Sequence, residues 1–165
     1  MKNIIPALFL AALVSACSAS ETNQHTSDSR ASESVSSAAL MTTEIPFETV
    51  ETNLRKALKT RNLKLFTVVN HGEGAKSVGM DIGQSKLFIF GNPKSGTPLM
   101  MANRQMGLEL PMKVLIYTNE QGQTALRHTD IKALARQYGL TDQAERLKKI
   151  ETTLNAISKE AVASS

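Results

Sequence analysis

The sequence has no tryptophan, one cysteine and only 4% aromatic residues in a chain of 165. A lone cysteine excludes an intramolecular disulfide framework and any site built from several thiolates, zinc or iron–sulfur. So few rings leave little from which to build stacking platforms for single-stranded nucleic acid. No Gly-x-Ser-x-Gly elbow, metalloprotease helix motif or Ser-x-x-Lys arrangement occurs, so the common hydrolytic constellations leave no mark in local sequence. What remains is enough for one folded domain, since 41% of the residues are hydrophobic and 21% charged.

The front of the chain reads as an address. Lys2 gives a positive start, and residues 4–14 form an apolar run broken only by Pro6. At about 11 residues this run is too short to cross a bilayer as a helix, yet it matches the hydrophobic region of a signal peptide. It ends in Leu13-Val14-Ser15-Ala16-Cys17, which resembles a bacterial lipobox. The resemblance implies a lipoprotein signal peptide over residues 1–16, cleavage before Cys17, diacylation of the Cys17 sulfur and acylation of the new amine. Three acyl chains exceed the two signals that stable membrane attachment generally requires. Ser18 stands where an inner-membrane retention signal usually places Asp. By resemblance to Gram-negative lipoproteins, the expected destination is the outer membrane, facing the periplasm. Acylation would consume the thiol, removing Cys17 as a nucleophile.

After Cys17, residues up to 39 are rich in Ser, Thr and Ala and nearly devoid of large apolar side chains, so residues 17–39 are expected to form a flexible tether. His25 falls in this tether and is read as solvated. The rest is basic: residues 46–165 hold 17 Lys or Arg against 11 Asp or Glu. Apart from Arg55-Lys56 and Lys148-Lys149 the cations are dispersed, so no nucleic-acid stripe emerges and no nucleic-acid partner is expected.

Residues 40–165 read as one α+β domain. An edge strand over 40–45 precedes a helix opening at Pro46, whose missing N–H is no loss in a first turn. Phe47, Val50, Leu54 and Leu58 put one apolar stripe on that helix. Residues 63–70 form a strand, 71–74 a glycine-rich loop, and 75–80 one helical turn. Residues 86–91 form a short central strand. The next helix is expected to be capped by Thr97, with Pro98 in the first position and Gly107 beyond its end. A strand over 110–117, a hairpin turn over 119–122 and a returning strand over 123–128 follow. Ile131, Leu134, Ala135 and Tyr138 share a face of a helix that Gly139 ends. Thr141 then caps an amphipathic helix over 141–161, with Leu147, Leu154, Ile157 and Ala161 in its stripe. This order predicts a two-layer fold, a mainly antiparallel sheet with helices on one face.

The middle of the chain resembles the domain-of-unknown-function family numbered 302. The matching blocks are Val69-Asn70-His71, Gly74-Ala75, Val78-Gly79, Leu87-Phe88-Ile89-Phe90-Gly91-Asn92-Pro93, Gly96-Thr97-Pro98-Leu99-Met100, Leu110-Pro111-Met112-Lys113-Val114-Leu115 and Tyr138-Gly139-Leu140. They cover residues 65–140. The resemblance implies a small α+β domain with the topology of a TATA-binding-protein half-domain, without DNA binding, and brings no established reaction. The family often opens with Asp-His where this chain has Asn70-His71.

Four residues stand out as candidates for ligand binding. His71 ends a strand beside two glycines, where an imidazole can serve as ligand or proton shuttle. Asn92 and Thr97 flank a small-residue turn carrying Lys94 before a helix start, and Lys113 lies on the following strand. The same turn also reads simply as a strand-to-helix connection. His71 with His128, helped by Glu73 or Asp130, is the alternative, a metal site, although their spacing fits no metal motif. Met100, Met101, Met106 and Met112 are read as core packing rather than as a copper site. No cofactor is implied and no catalytic residue is assigned. The reading is therefore a lipid-anchored envelope binding or interaction module for a small molecule or an envelope protein. The alternative is an envelope enzyme or metal-handling protein using His71 and His128.

Overall fold

Apolar periodicity sets the architecture. In the computed structural model, which describes residues 40–164, the predicted stripe forms helix α1 (Phe47–Thr60), with Phe47, Val50, Leu54, Ala57 and Leu58 buried. The strands are β1 (Leu40–Thr43), β2 (Lys64–Asn70), β3 (Ser85–Gly91), β4 (Met112–Thr118) and β5 (Thr124–His128). They pair antiparallel throughout in the order β1-β5-β4-β3-β2. Consecutive strands β1 and β2 thus occupy opposite edges, with α1 between them in sequence. Phe88, Phe90, Met112, Val114, Ile116 and Leu126 alternate onto the core face of the sheet. The expectations for residues 1–39, including the signal peptide, Cys17, His25 and the tether, lie outside the described residues.

Helices α2 (His71–Ser77), α3 (Pro93–Ala102), α4 (Ile131–Gln137) and α5 (Ala144–Ala161) complete the chain. α5 buries Leu147, Leu154, Ile157, Ser158 and Ala161 and packs against α1. The hairpin between β4 and β5 turns as expected. Asn119 Oδ1 accepts from the Gln121 and Gln123 amides at 3.1 and 2.8 Å, and Gly122 takes the left-handed φ of 79° that the turn requires.

Three local expectations need correction. Residues 71–74 are not a loop: α2 starts at His71, because Asn70 Oδ1 accepts from the Glu73 amide at 3.1 Å and caps it. Thr97 caps nothing. α3 starts five residues earlier at Pro93, capped by Asn92, whose Oδ1 accepts from the Lys94 amide at 2.9 Å, and Pro98 lies inside the helix. α3 ends at Ala102, and Gly107 belongs to a separate 3₁₀ turn, Arg104–Leu108, capped by Asn103. Finally, Thr141 opens a 3₁₀ turn, Thr141–Gln143, and the α-helix behind it has no side-chain cap.

A charged cluster clasps α1 to β3. Glu51 accepts from Lys86 Nζ at 2.7 Å and from Arg55 at 2.7 Å. Lys86 and Arg55 in turn lie over the Phe47 and Phe88 rings, 5.6 and 5.2 Å from the centroids. Burial pushes the Glu51 carboxyl up, but its hydrogen bonds to Lys86 and Arg55 hold it below its ordinary value. A depressed carboxyl stabilises the fold above its unfolded-state pKa, and that contribution is lost as pH falls through the lower folded-state value. Glu51→Gln is therefore expected to cost on the order of 1 kcal/mol at neutral pH and to shrink the stability lost on acidification through and below the ordinary carboxylate range. Urea denaturation of both proteins at each pH checks this. An unchanged acid slope would count against the clasp.

Candidate functional site

Beside the C-terminal end of β3, the helix layer leaves a cleft of about 310 Å³. One wall is α3, contributing Pro93, Ser95, Gly96, Thr97 and Met100. Phe90 and Gly91 of β3 and the Leu110-Pro111-Met112 entry to β4 form the floor, with Leu63 and Phe66 near β2. The opposite wall is α5, whose Arg146, Lys149, Ile150, Thr153 and Leu154 recur at steps of three and one and so share a face. The lining is mainly apolar and includes no Asp or Glu. Its two cations form no ion pair among the described residues; Arg146 Nε donates only a 3.4 Å bond to Gln143 Oε1.

Two of the four ligand candidates meet here. Asn92 and Thr97 both line the cleft, although the Asn92 side-chain oxygen is committed to capping α3. Lys113 does not line it. Its Nζ donates to the Glu109 and Leu108 carbonyls at 3.1 and 3.3 Å, fastening the 3₁₀ turn to β4. Glu109 also accepts from Tyr138 Oη at 2.9 Å, and Asn103 Nδ2 donates to the Tyr138 carbonyl at 3.0 Å, so this corner is a structural network. His71 is exposed at the start of α2 and lies outside the cleft lining.

The two histidines of the alternative are not brought together. His71 follows β2 and His128 ends β5, with β3 and β4 between these strands, roughly 14 Å across the sheet. His128 is buried against α5, with Nδ1 2.9 Å from the Thr129 carbonyl oxygen and Nε2 3.2 Å from Asn155 Oδ1. Asp130 Oδ1 accepts from the Ala133 amide at 2.9 Å as the cap of α4. Among the described residues no group of three or more His, Cys, Asp and Glu side chains could hold a metal ion. Of the methionines, Met106 and Met112 are core residues and Met100 is partly buried at the cleft, but Met101 is 76% exposed and lies outside the core.

Phe66, Arg146 and Lys149 were not among the candidates. Alternation places Phe66 opposite Leu65 and beside Lys64, whose Nζ lies 5.2 Å from the Phe66 ring centroid, and the register of β2 shifts between Leu65 and Thr67. For Arg146 and Lys149 the signal was the polar row Arg146–Lys149–Thr153 bordering the apolar stripe of the last helix.

The fold is α+β, a five-stranded antiparallel sheet with a C-terminal helix, and the chain belongs to the family described as Domain of unknown function DUF302, whose model matches residues 40–160. The match extends on both sides of residues 65–140. The fold is shared with the crystal structure of the uncharacterized conserved protein DUF302 from Bacillus stearothermophilus, at a TM-score of 0.67 and 18% identity, covering 74% of this chain and 95% of that one. The chain is 34% identical over 131 residues to the fluoride-specific ion channel FluC 1 of Brucella suis biovar 1 (strain 1330), covering 78% of this chain and 52% of that protein. The protein of the same name from Brucella abortus biovar 1 (strain 9-941) is also 34% identical over 131 residues, with 48% of its length covered. The chain thus spans about half the length of the curated relatives it matches. Among the described residues no helix is long and apolar enough to cross a membrane.

Proposed function

We propose that this DUF302 domain is a binding module held at the bacterial cell envelope by lipid on Cys17, with the cleft between α3 and α5 as its ligand site. The observation that carries the site is the cleft itself: about 310 Å³, mainly apolar, with a few polar side chains of Ser95, Thr97 and Thr153 at its walls. Ligand pockets of roughly 300–1,000 Å³ typically combine such a lining with a small number of orienting polar groups. The lipobox resemblance and Ser18 support an outer-membrane position facing the periplasm. The channel activity in the relatives' names belongs to proteins of which this chain spans about half, so the reading rests on the cleft.

Anchoring and binding are tested separately. Wild-type protein is expected to partition into the detergent phase and to carry acyl mass on Cys17. The Cys17→Ser chain is expected to carry no acyl mass. Freely soluble protein lacking acyl mass in both cases would overturn the anchor. For the cleft, amide and methyl NMR shifts of the full chain carrying Cys17→Ser are followed as decanol is added. Saturable shifts confined to residues such as Ser95, Thr97 and Met100 are expected, and no saturable shift there would overturn the ligand site.

A further inference from the structure

Resting on the reading of the cleft as a ligand site, we infer that its ligand is an anionic single-chain amphiphile, with the head held by Arg146 and Lys149 and the tail laid along the apolar floor. Three independent features of the cleft point to this chemistry. First, the α5 wall is graded. Arg146 and Lys149 come first, then Ile150, Thr153 and Leu154. From residue 146 to residue 154 the helix rises about 12 Å, so both cations sit at one end of a wall the length of a small ligand and the other end is uncharged. Second, the charge is of one sign. No carboxylate lines the cleft, and neither cation is used in an ion pair among the described residues, although Arg55, Arg61, Lys76, Lys86 and Lys132 each have one. An anion there meets two cations without displacing an existing partner, whereas a cationic ligand meets only repulsion. Third, the tail region is already water-poor: Phe90 and Leu154 are 1% exposed, while Phe66 stands 44% exposed at the margin. Covering that ring and the neighbouring Leu110 removes apolar surface from water, which drives binding of an alkyl chain.

Arg146 and Lys149 act here as headgroup contacts and not as parts of the fold. Arg146 is half-buried and Lys149 exposed, and only the weak Gln143 bond is lost when Arg146 is replaced. Carboxylate and phosphate heads share the required charge, so both belong in the test.

The full chain carrying Cys17→Ser is titrated calorimetrically with decanoate, decyl phosphate, decanol and decylammonium at low salt. Decanoate or decyl phosphate is expected to bind about tenfold more tightly than decanol, and decylammonium more weakly than decanol. The advantage of the anions is expected to shrink as salt is raised, because these contacts are partly exposed. Arg146→Gln with Lys149→Gln is expected to abolish the preference for the anions over decanol. Thr97→Trp, which fills the cleft from an exposed helical position, is expected to abolish binding of all four. Equal affinities of the wild type for decanol and both anions, or an anion preference that survives the double substitution, would overturn the inference while leaving the ligand site standing. No binding of any of the four, decanol included, would overturn the ligand site itself. The relative strength of decanoate and decyl phosphate then distinguishes a fatty-acid-like head from a phosphorylated one.

Discussion

Leu154→Ala is expected to lower the stability of the domain by about 3 kcal/mol, within the range of about 2–5 kcal/mol for buried Leu truncations. Leu154 is 1% exposed, sits in the buried stripe of α5 between Leu147 and Ile157, and also lines the cleft. The loss has two parts: the transfer free energy of the deleted atoms, and the void left because α5, held against α1 along its length, cannot collapse inward. Ile150→Ala is the control. Ile150 is one turn earlier and only partly buried on the same wall, so its truncation is expected to cost roughly 1 kcal/mol. Thermal unfolding reads the difference, with a Tm drop on the order of 10 °C for Leu154→Ala and a few degrees for Ile150→Ala. Equal, small effects would mean that α5 is not docked as described. Because the Leu154 void opens beside the cleft, the same variant is also expected to admit a longer alkyl chain than the wild type.

The helices with clean apolar periods were the legible part of this fold. Phe47, Val50, Leu54 and Leu58 are all buried in α1, and Leu147, Leu154, Ile157 and Ala161 in α5, because a stripe at steps of three and four has only one way to leave water. The strand runs and the Asn119–Gly122 turn were legible for the same reason, since each carries its signal locally. α3 was misplaced because the same signal occurs twice: Asn92-Pro93 and Thr97-Pro98 are both a cap followed by proline, a few residues apart. Local pattern does not rank them, whereas the end of β3 at Gly91 does, by putting Asn92 at the point where the chain must turn. The cleft was legible only in part. Asn92 and Thr97 lie on the segment that the sequence singled out, but the opposite wall comes from a helix some fifty residues later. Lys113 was close in sequence and is used elsewhere. Sequence proximity ranks candidates poorly when the site is assembled from elements far apart in the chain.

Two glycines of one helix are expected to respond to alanine with opposite signs, and the contrast bears on what the block Val69-Asn70-His71 and the glycine after it do. A Cβ on Gly72 would stand 2.6 Å from the Gly83 carbonyl oxygen and 3.4 Å from the Ser85 amide nitrogen, both backbone atoms that cannot swing aside. Gly72→Ala must push α2 off the segment leading into β3, at a cost of about 1–3 kcal/mol for the overpacking. Gly74 lies two residues on, and a Cβ there meets nothing within 4 Å. Gly74→Ala is expected to stabilise by about 0.5–1 kcal/mol, since alanine loses less backbone entropy than glycine on entering a helix. Chemical denaturation of the two variants therefore separates them by about 1.5–4 kcal/mol in total, in a direction that helix propensity alone, which favours alanine at both positions, does not give. The contrast gives the block a structural reading in which Asn70 caps α2, Gly72 lets it approach the backbone of β3, and His71 stands exposed between them. If Gly72→Ala were as stabilising as Gly74→Ala, the close approach would be absent, and α2 and His71 would be free to take up another position.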